Sequence, residues 1–261
     1  MKRGLSLGYL VLIYLYLFVP LAVIVLFAFD QGNNPARWPP HLFSLHWVQV
    51  MFQDEDILQA LKNSMLVGSA AVLVSSLLGG ALALAIHRYR SRLASIIYAV
   101  TMLPAFVPGL VLGVALLLLF SAAKIELSLV TIAIGHVTFL TPVMLTGILT
   151  RLERLPPSYE QASRDLGASA WQTFHLVTLP NIRTALISSM LYAFMLSFDN
   201  IVLTFFLTGY QKTLPLEFWG RIRFGLTPAT NVVATLLLVC SLALILVSNR
   251  FMSEGESRRV Y

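Results

Sequence analysis

Cysteine is almost missing from this chain: Cys240 is the only one among 261 residues, which excludes an intrachain disulfide and a cysteine-based metal site. Set inside an apolar run, it reads as an inert buried thiol. Charge is scarce as well. Charged residues make up 11% of the sequence, less than half of the ~25% usual in soluble domains, so a chain solvated mainly by water is excluded. The five histidines show no H-E-x-x-H or other ligand spacing, and no metal site is expected. No G-x-x-x-x-G-K-[ST] phosphate loop occurs, which leaves the chain without that apparatus for holding a nucleotide. Tandem repeats and low-complexity tracts are absent too.

What remains is apolar. Hydrophobic residues reach 57% and mean hydropathy is +0.79, which points to lipid as the main solvent. Charges punctuate apolar runs from Gly8 to Phe29, Asn63 to Ile86, Ser95 to Ala123, Leu127 to Thr150 and Phe224 to Asn249. A further run, Thr184 to Gln211, is interrupted only by Asp199. A helix crosses a hydrocarbon core of ~30 Å with ~20 residues, so these runs predict an all-α membrane protein with six transmembrane helices. Lys2 and Arg3 imitate the start of a signal peptide, but the first run exceeds the ~7–15 residues of such a segment and Phe27-Ala28-Phe29 is a poor cleavage site. We read it as an uncleaved anchor. Lys and Arg fall twelve on one side and six on the other, which by the positive-inside rule predicts an N-in/C-in topology. The net charge of +6 is then a topology signal and calls for no nucleic acid.

Two loops are longer than a connector needs. The outer one, Asp30 to Lys62, holds the turn-rich Asn33-Asn34-Pro35 and Pro39-Pro40, the aromatics Trp38 and Trp47, and an interfacial helix expected around His46 to Phe52. Its Asp54-Glu55-Asp56 suits either the N-terminus of the second span or the approach of a cationic solute. The inner loop runs from Arg151 to Arg183. Pro156-Pro157 ends the fourth span, and Ser158 with Gln161 forms a capping-box pattern for a short helix. Gly167 stands where a left-handed cap is wanted. Ser169 to Gln172 repeats the capping box, Leu179-Pro180 closes a second short helix, and Pro180 falls in the first turn of the fifth span. The expected product is a rigid helix-turn-helix knob that binds a partner or transmits force. The predicted domain plan is an anchor helix and outer loop over 1–58, a membrane domain over 59–250 with this loop at 156–182, and a cytoplasmic tail over 251–261, polar and expected to fray from Ser253 to Tyr261.

Glu160-Gln161-Ala162-Ser163-Arg164-Asp165-Leu166-Gly167-Ala168-Ser169, followed by Val177-Thr178-Leu179-Pro180, resembles the EAA loop of the membrane subunits of binding-protein-dependent ATP-binding-cassette importers. The family pattern runs Glu-Ala-Ala, three residues, Gly, nine residues, Ile, one residue, Leu-Pro. Gln161, Ala162, Ser163, Gly167, Val177, Leu179 and Pro180 occupy its positions with both gaps at the family length. Gln161 replaces a glutamate, so a hydrogen bond but no ion pair carries over. Met102-Leu103-Pro104-Ala105-Phe106-Val107-Pro108-Gly109 looks like the proline-glycine segment of these permeases. Leu196-Ser197-Phe198-Asp199-Asn200 and Thr213-Leu214-Pro215-Leu216 look like the spermidine/putrescine branch.

This resemblance implies the type I importer fold, a multi-pass place in the bacterial cytoplasmic (inner) membrane, and no catalysis by the chain itself. It implies that the loop is a coupling helix seated in a cytoplasmic ATPase dimer through Glu160, Gln161, Ala162, Asp165, Gly167, Ala168, Leu179 and Pro180. ATP and magnesium are expected on that ATPase and no cofactor in this chain. The other implied partners are a homologous second permease, giving a heterodimer, and a periplasmic or extracellular solute-binding protein. Polyamines are the expected cargo; another amino-compound, an anion or a metal carried by a related branch is the alternative.

Asp199 is the only acidic residue inside an expected span. A charge at the centre of a span costs about 2.5–3.5 kcal/mol, so it should face protein or water. It serves either as a pathway anion for a cationic substrate or, with Asn200, as the cap of a helix break or a partner of a neighbouring span. His136 either lines the path or packs through hydrogen bonds. Tyr192, with Phe194 and Phe198, either joins an aromatic cation pocket or packs. Gly79, Gly80 and Ala81 suit close helix packing. A stand-alone secondary transporter or channel predicts intramembrane ionisable pairs and internal repeats, and an intramembrane enzyme predicts a nucleophile with a base. The sequence carries neither pattern.

Overall fold

The computed structural model describes residues 2–32, 43–224 and 228–257. Asn33-Asn34-Pro35, Trp38, Pro39-Pro40 and positions 258–261 of the expected tail lie outside the described residues. The elements are α1 (Lys2–Ala28), α2 (His46–Gln53), α3 (Glu55–Tyr89), α4 (Arg92–Phe106), α5 (Gly109–Ala122), α6 (Leu129–Glu153), α7 (Pro157–Asp165), α8 (Ala170–Thr173), a π-helical turn (Phe174–Thr178), α9 (Leu179–Phe198), α10 (Val202–Leu207), α11 (Leu214–Phe224) and α12 (Pro228–Ser257). The β pairing among the described residues is an isolated bridge between Asp30 and Phe43.

α1, α3 and α6 are each long and apolar enough to cross a membrane. The third expected span, read as one run, is instead a bent pair in which α4 and α5 meet at 105°. Val107 and Pro108 are extended at the break, with ψ of 129° and 135°. Pro108 has no N–H to donate and drives the residue before it away from helical geometry. The fifth run is divided between α9 and α10. In the sixth, Pro228–Ala243 is the described apolar stretch, while the helix itself continues to Ser257 through much of the tail expected to fray. By length and composition, three helices and one bent pair thus qualify among the described residues, against the six spans expected.

The chain divides into two compact units, residues 1–60 with 217–242 and residues 61–216 with 243–261. In the first unit, Phe27, Ala28, Met51 and Ile57 are buried. Asp54 starts α3 by accepting the Ile57 N–H at 3.1 Å, and Glu55 and Asp56 fill the first turn, where the helix dipole favours negative charge. Arg221 of α11 grips the Asp54 carboxylate with two bonds of 2.6 and 2.9 Å, while its Nε donates to Glu217 at 2.9 Å. The guanidinium holds the Asp54 carboxyl below its usual range; partial burial opposes this and the Ile57 N–H assists.

In the second unit α6 is the central helix. Ile132, Leu140, Met144, Leu145, Ile148 and Leu152 are buried along it, and α4, α9 and α10 pack against it. Glycine sets how closely α3 approaches. A Cβ on Gly79 would stand 2.7 Å from Met144 Cβ and 2.8 Å from the Leu145 nitrogen, so only hydrogen fits there, as the small-residue run led us to expect.

The ion pair of the first unit generates a test. Asp54→Asn keeps the cap and removes the charge, and is expected to lower stability by about 1 kcal/mol, the scale of a well-oriented but partly exposed pair. Because the folded pKa of Asp54 is depressed, its contribution is complete above the ordinary value of ~3.9 and is lost as pH falls through the lower folded value. Thermal unfolding in detergent across that window should show the difference between wild type and Asp54→Asn closing in acid. A difference that stays constant into strong acid would assign the effect to something other than the charge.

Candidate functional site

The knob between α6 and α9 is built from caps. α7 begins at Pro157 behind Pro156 without a side-chain cap, so the capping box expected from Ser158 and Gln161 does not form. Proline at the first helical position has no N–H to satisfy and a preset φ, which moves the start ahead of Ser158. The left-handed cap expected at Gly167 is present, with φ of +84°. Gly167 N–H bonds to Arg164 O at 2.8 Å and Ala168 N–H to Ser163 O at 3.1 Å, which are the two bonds of a Schellman motif. Nothing lies within 4 Å of a Cβ placed on Gly167, so backbone conformation, rather than space, calls for glycine there.

The second capping box forms as expected. Gln172 N–H donates to Ser169 Oγ at 3.3 Å, and Ser169 N–H donates to Gln172 Oε1 at 2.8 Å. Leu179-Pro180, however, closes no helix. The backbone stays helical from α8 through the π turn into α9. Pro180 cannot bond the carbonyl four residues back and its ring crowds that carbonyl; a widened π turn relieves the clash without ending the helix.

Side chains tie the knob together. The Ser163 and Thr173 hydroxyls lie 3.0 Å apart, Thr178 Oγ1 donates to Glu160 Oε1 at 2.9 Å, and Arg151 Nε donates to Asn181 O at 3.0 Å, joining the end of α6 to the start of α9. Gln161, Ala162, Asp165 and Pro180 are exposed, and Ala168 and Leu179 are half-buried. The sequence reading missed the knob's own most exposed apolar groups: Leu166 is 89%, Trp171 70% and Leu176 73% exposed. Trp171 lies against His175, ring centroids 4.1 Å apart. Large apolar side chains flanking a polar cap were the available signal.

The second feature is the break between α9 and α10. Joint capping by Asp199 and Asn200 is one of the expectations, and the structure separates the two residues. Asn200 Oδ1 accepts the Leu203 N–H at 2.9 Å and so caps α10. Asp199 is exposed, and its carboxylate has no partner among the described residues. His136, for which a path-lining role was one reading, is 1% exposed. Its Nδ1 lies 2.7 Å from Ser197 Oγ and its Nε2 3.2 Å from Thr204 Oγ1. Both ring nitrogens are used, so the ring packs and presents nothing to a solute.

Tyr192 is 54% exposed, whereas Phe198 is buried and stacks on Phe194 at a centroid distance of 5.8 Å. Residues two apart on a helix point to nearly opposite sides, so Tyr192 does not complete an aromatic pocket with the two phenylalanines. The two broken spans adjoin. A Cβ on Gly109, the first residue of α5, would lie 3.8 Å from Val202 at the start of α10, and one on Gly113 would lie 2.8 Å from Phe206. The sequence reading treated the proline-glycine segment and Asp199 as separate features; helix packing brings their breaks together.

Comparison with known proteins places this geometry. A family model described as "Binding-protein-dependent transport system inner membrane component" matches residues 71–253. The spermidine/putrescine transport system permease protein PotC of Haemophilus influenzae is 30% identical over 242 residues, 92% of this chain and 93% of that protein. The putrescine transport system permease protein PotI of Escherichia coli K12 is 30% identical over 259 residues, 96% of this chain and 92% of that one. Among solved structures, a bacterial alginate ABC transporter in complex with its alginate pentasaccharide-bound periplasmic protein has a similar chain. It shares 16% identity at a TM-score of 0.68, with 95% of this chain and 94% of that chain covered. The chain belongs to the inner-membrane components of binding-protein-dependent transport systems, and it is a permease subunit of an ATP-binding-cassette importer.

Proposed function

We propose that this permease forms one half of a polyamine pathway beside a homologous second permease, and that its knob docks on a cytoplasmic ATPase dimer that carries ATP and magnesium. A solute-binding protein on the outer side delivers the cargo. The chain performs no bond chemistry; ATP binding and hydrolysis elsewhere bias a two-state membrane element. The observation that carries the pathway is Asp199, an exposed carboxylate in an otherwise apolar run, released from the capping duty that Asn200 performs. A charge there needs water, a cation or a protein partner. The names of the two relatives, spermidine/putrescine and putrescine permeases, supply the cation class. Docking rests on the exposed Leu166, Trp171 and Leu176 around the Gly167 cap, and the periplasmic protein bound in the similar alginate transporter supports delivery from outside.

Three experiments test this reading. A tagged chain purified in mild detergent is expected to bring down an ATPase and a second permease, and the complex with its binding protein should hydrolyse ATP faster when putrescine or spermidine is added. A chain that purifies alone and transports without ATP would overturn the assignment of partners.

Gly167→Leu forces a branched residue into the left-handed region at about 1–2 kcal/mol and should lower uptake per ATP hydrolysed. Gly167→Asn, which tolerates that conformation, should retain coupling. Equal behaviour of the two variants would remove the cap from the docking mechanism.

Asp199→Asn should cut polyamine uptake about tenfold, the equivalent of ~1.4 kcal/mol, with assembly intact. Asn200→Ala should instead lose about 1 kcal/mol of stability as a missing cap. Full uptake by Asp199→Asn would return Asp199 to a structural role.

A further inference from the structure

The hydrogen bonds around His136 form a chain whose proton positions are determined. Thr204 Oγ1 lies 2.7 Å from the Asn200 carbonyl oxygen, which can only accept, so the single Thr204 hydroxyl proton is committed there. His136 Nε2, 3.2 Å from the same Oγ1, must then carry the ring proton and donate it. In the neutral ring Nδ1 is left as an acceptor, and Ser197 O–H donates to it at 2.7 Å. The chain therefore runs from Ser197 at the end of α9, through His136 on α6, to Thr204 on α10 and back to Asn200 in the break. Each member is buried or half-buried: His136 is 1%, Ser197 4% and Thr204 0% exposed. Asp199 lies between the two points that this chain fastens.

From this geometry we propose that His136 is a positioning residue: through Ser197 and Thr204 it clamps both sides of the α9–α10 break to α6 and so sets where the Asp199 carboxylate stands. A helix interruption in lipid leaves backbone groups that protein must satisfy, and two α-helical segments joined by three residues can otherwise take many relative angles. Asn200 satisfies one N–H of α10 but does not orient α10 against α9. The His136 clamp does, because one rigid ring touches both segments. The consequence for transport rests on the reading of Asp199 as the pathway anion; the clamp itself does not.

The test reads position and transport separately. Cys240 is the only native cysteine, so in a Cys240→Ser background Asp199→Cys places a single thiol whose maleimide labelling rate in the assembled, membrane-embedded importer reports its location. Thr204→Val, which keeps shape and removes the hydroxyl together with its bonds to His136 and to the Asn200 carbonyl, is expected to change that rate at least about fivefold, the equivalent of one hydrogen bond, and Thr204→Ser to restore it. In native-thiol protein, Thr204→Val should raise the KM for spermidine by a similar factor, and should add less than that on top of Asp199→Asn. Unchanged labelling in Thr204→Val, or a change that Thr204→Ser does not rescue, overturns the clamp. Equal factors on KM with and without Asp199→Asn overturn its action through Asp199. Altered, rescued labelling with silent Asp199→Asn uptake upholds the clamp and discards the pathway anion instead. His136→Leu, which removes both ring bonds and leaves the Thr204–Asn200 bond, is the second variant and should change the labelling rate in the same direction as Thr204→Val; labelling within about twofold of the parent would overturn the clamp.

Discussion

A backbone in lipid cannot leave its N–H and C=O groups to water, and this constraint governs the interior of the protein. An unbroken helix without proline meets it unaided, as α3 does, whereas Pro142 inside α6 withholds one N–H. Where a helix is interrupted, protein groups must finish the bonding, and each break here has an identifiable device. At Val107-Pro108 one donor is missing by chemistry. At Asn200 a side-chain oxygen takes the place of a backbone acceptor, and Thr204 returns a proton to the Asn200 carbonyl. At Pro180 a π turn spreads the backbone so that the helix survives the proline. The irregular stretches are therefore the parts with the most specific chemistry.

The same logic orders the packing. One face of α6 is buried along its length because α4, α9 and α10 pack on it, and glycine sets the distance at which α3 approaches. A helix so packed cannot shift without moving its neighbours, since packed cores behave as discrete states rather than soft ones. α6 runs directly into the knob, and Arg151 joins its end to the head of α9. The end of α6 is thus tied to the head of α9, and α6 also carries His136. His136 in turn bonds to both sides of the α9–α10 break.

Much of this was legible in the residues, because the signals were local. The left-handed Gly167 and the Ser169–Gln172 box depend on interactions within one or two turns, and both formed as read. The Gly79 approach was legible because lipid-embedded helices need small residues to come together. Ser158 was misread because a capping pattern competes with an N-terminal proline, and proline acts through its own ring without any partner. The third span was read as a single run because apolarity reports solvent and length but not direction, so a 105° bend at Pro108 leaves hydropathy untouched. The exposed Leu166, Trp171 and Leu176 went unnoticed since exposure is a property of neighbours.

The sequence by itself determined the solvent, the approximate extents of most apolar segments, the side-to-side charge bias, the capped knob and, through a short spaced motif, the family. These follow from composition and from interactions between residues a few positions apart, which a linear chain displays directly. Only the tertiary structure decided that Asn200 and not Asp199 caps the break, that His136 packs between Ser197 and Thr204, that Tyr192 parts from Phe194 and Phe198, and that the breaks of two spans adjoin. Those pairings join residues separated by 61 and 68 positions in the case of His136. Which partner a polar side chain meets across that separation is set by how helices pack, and periodicity carries no record of it.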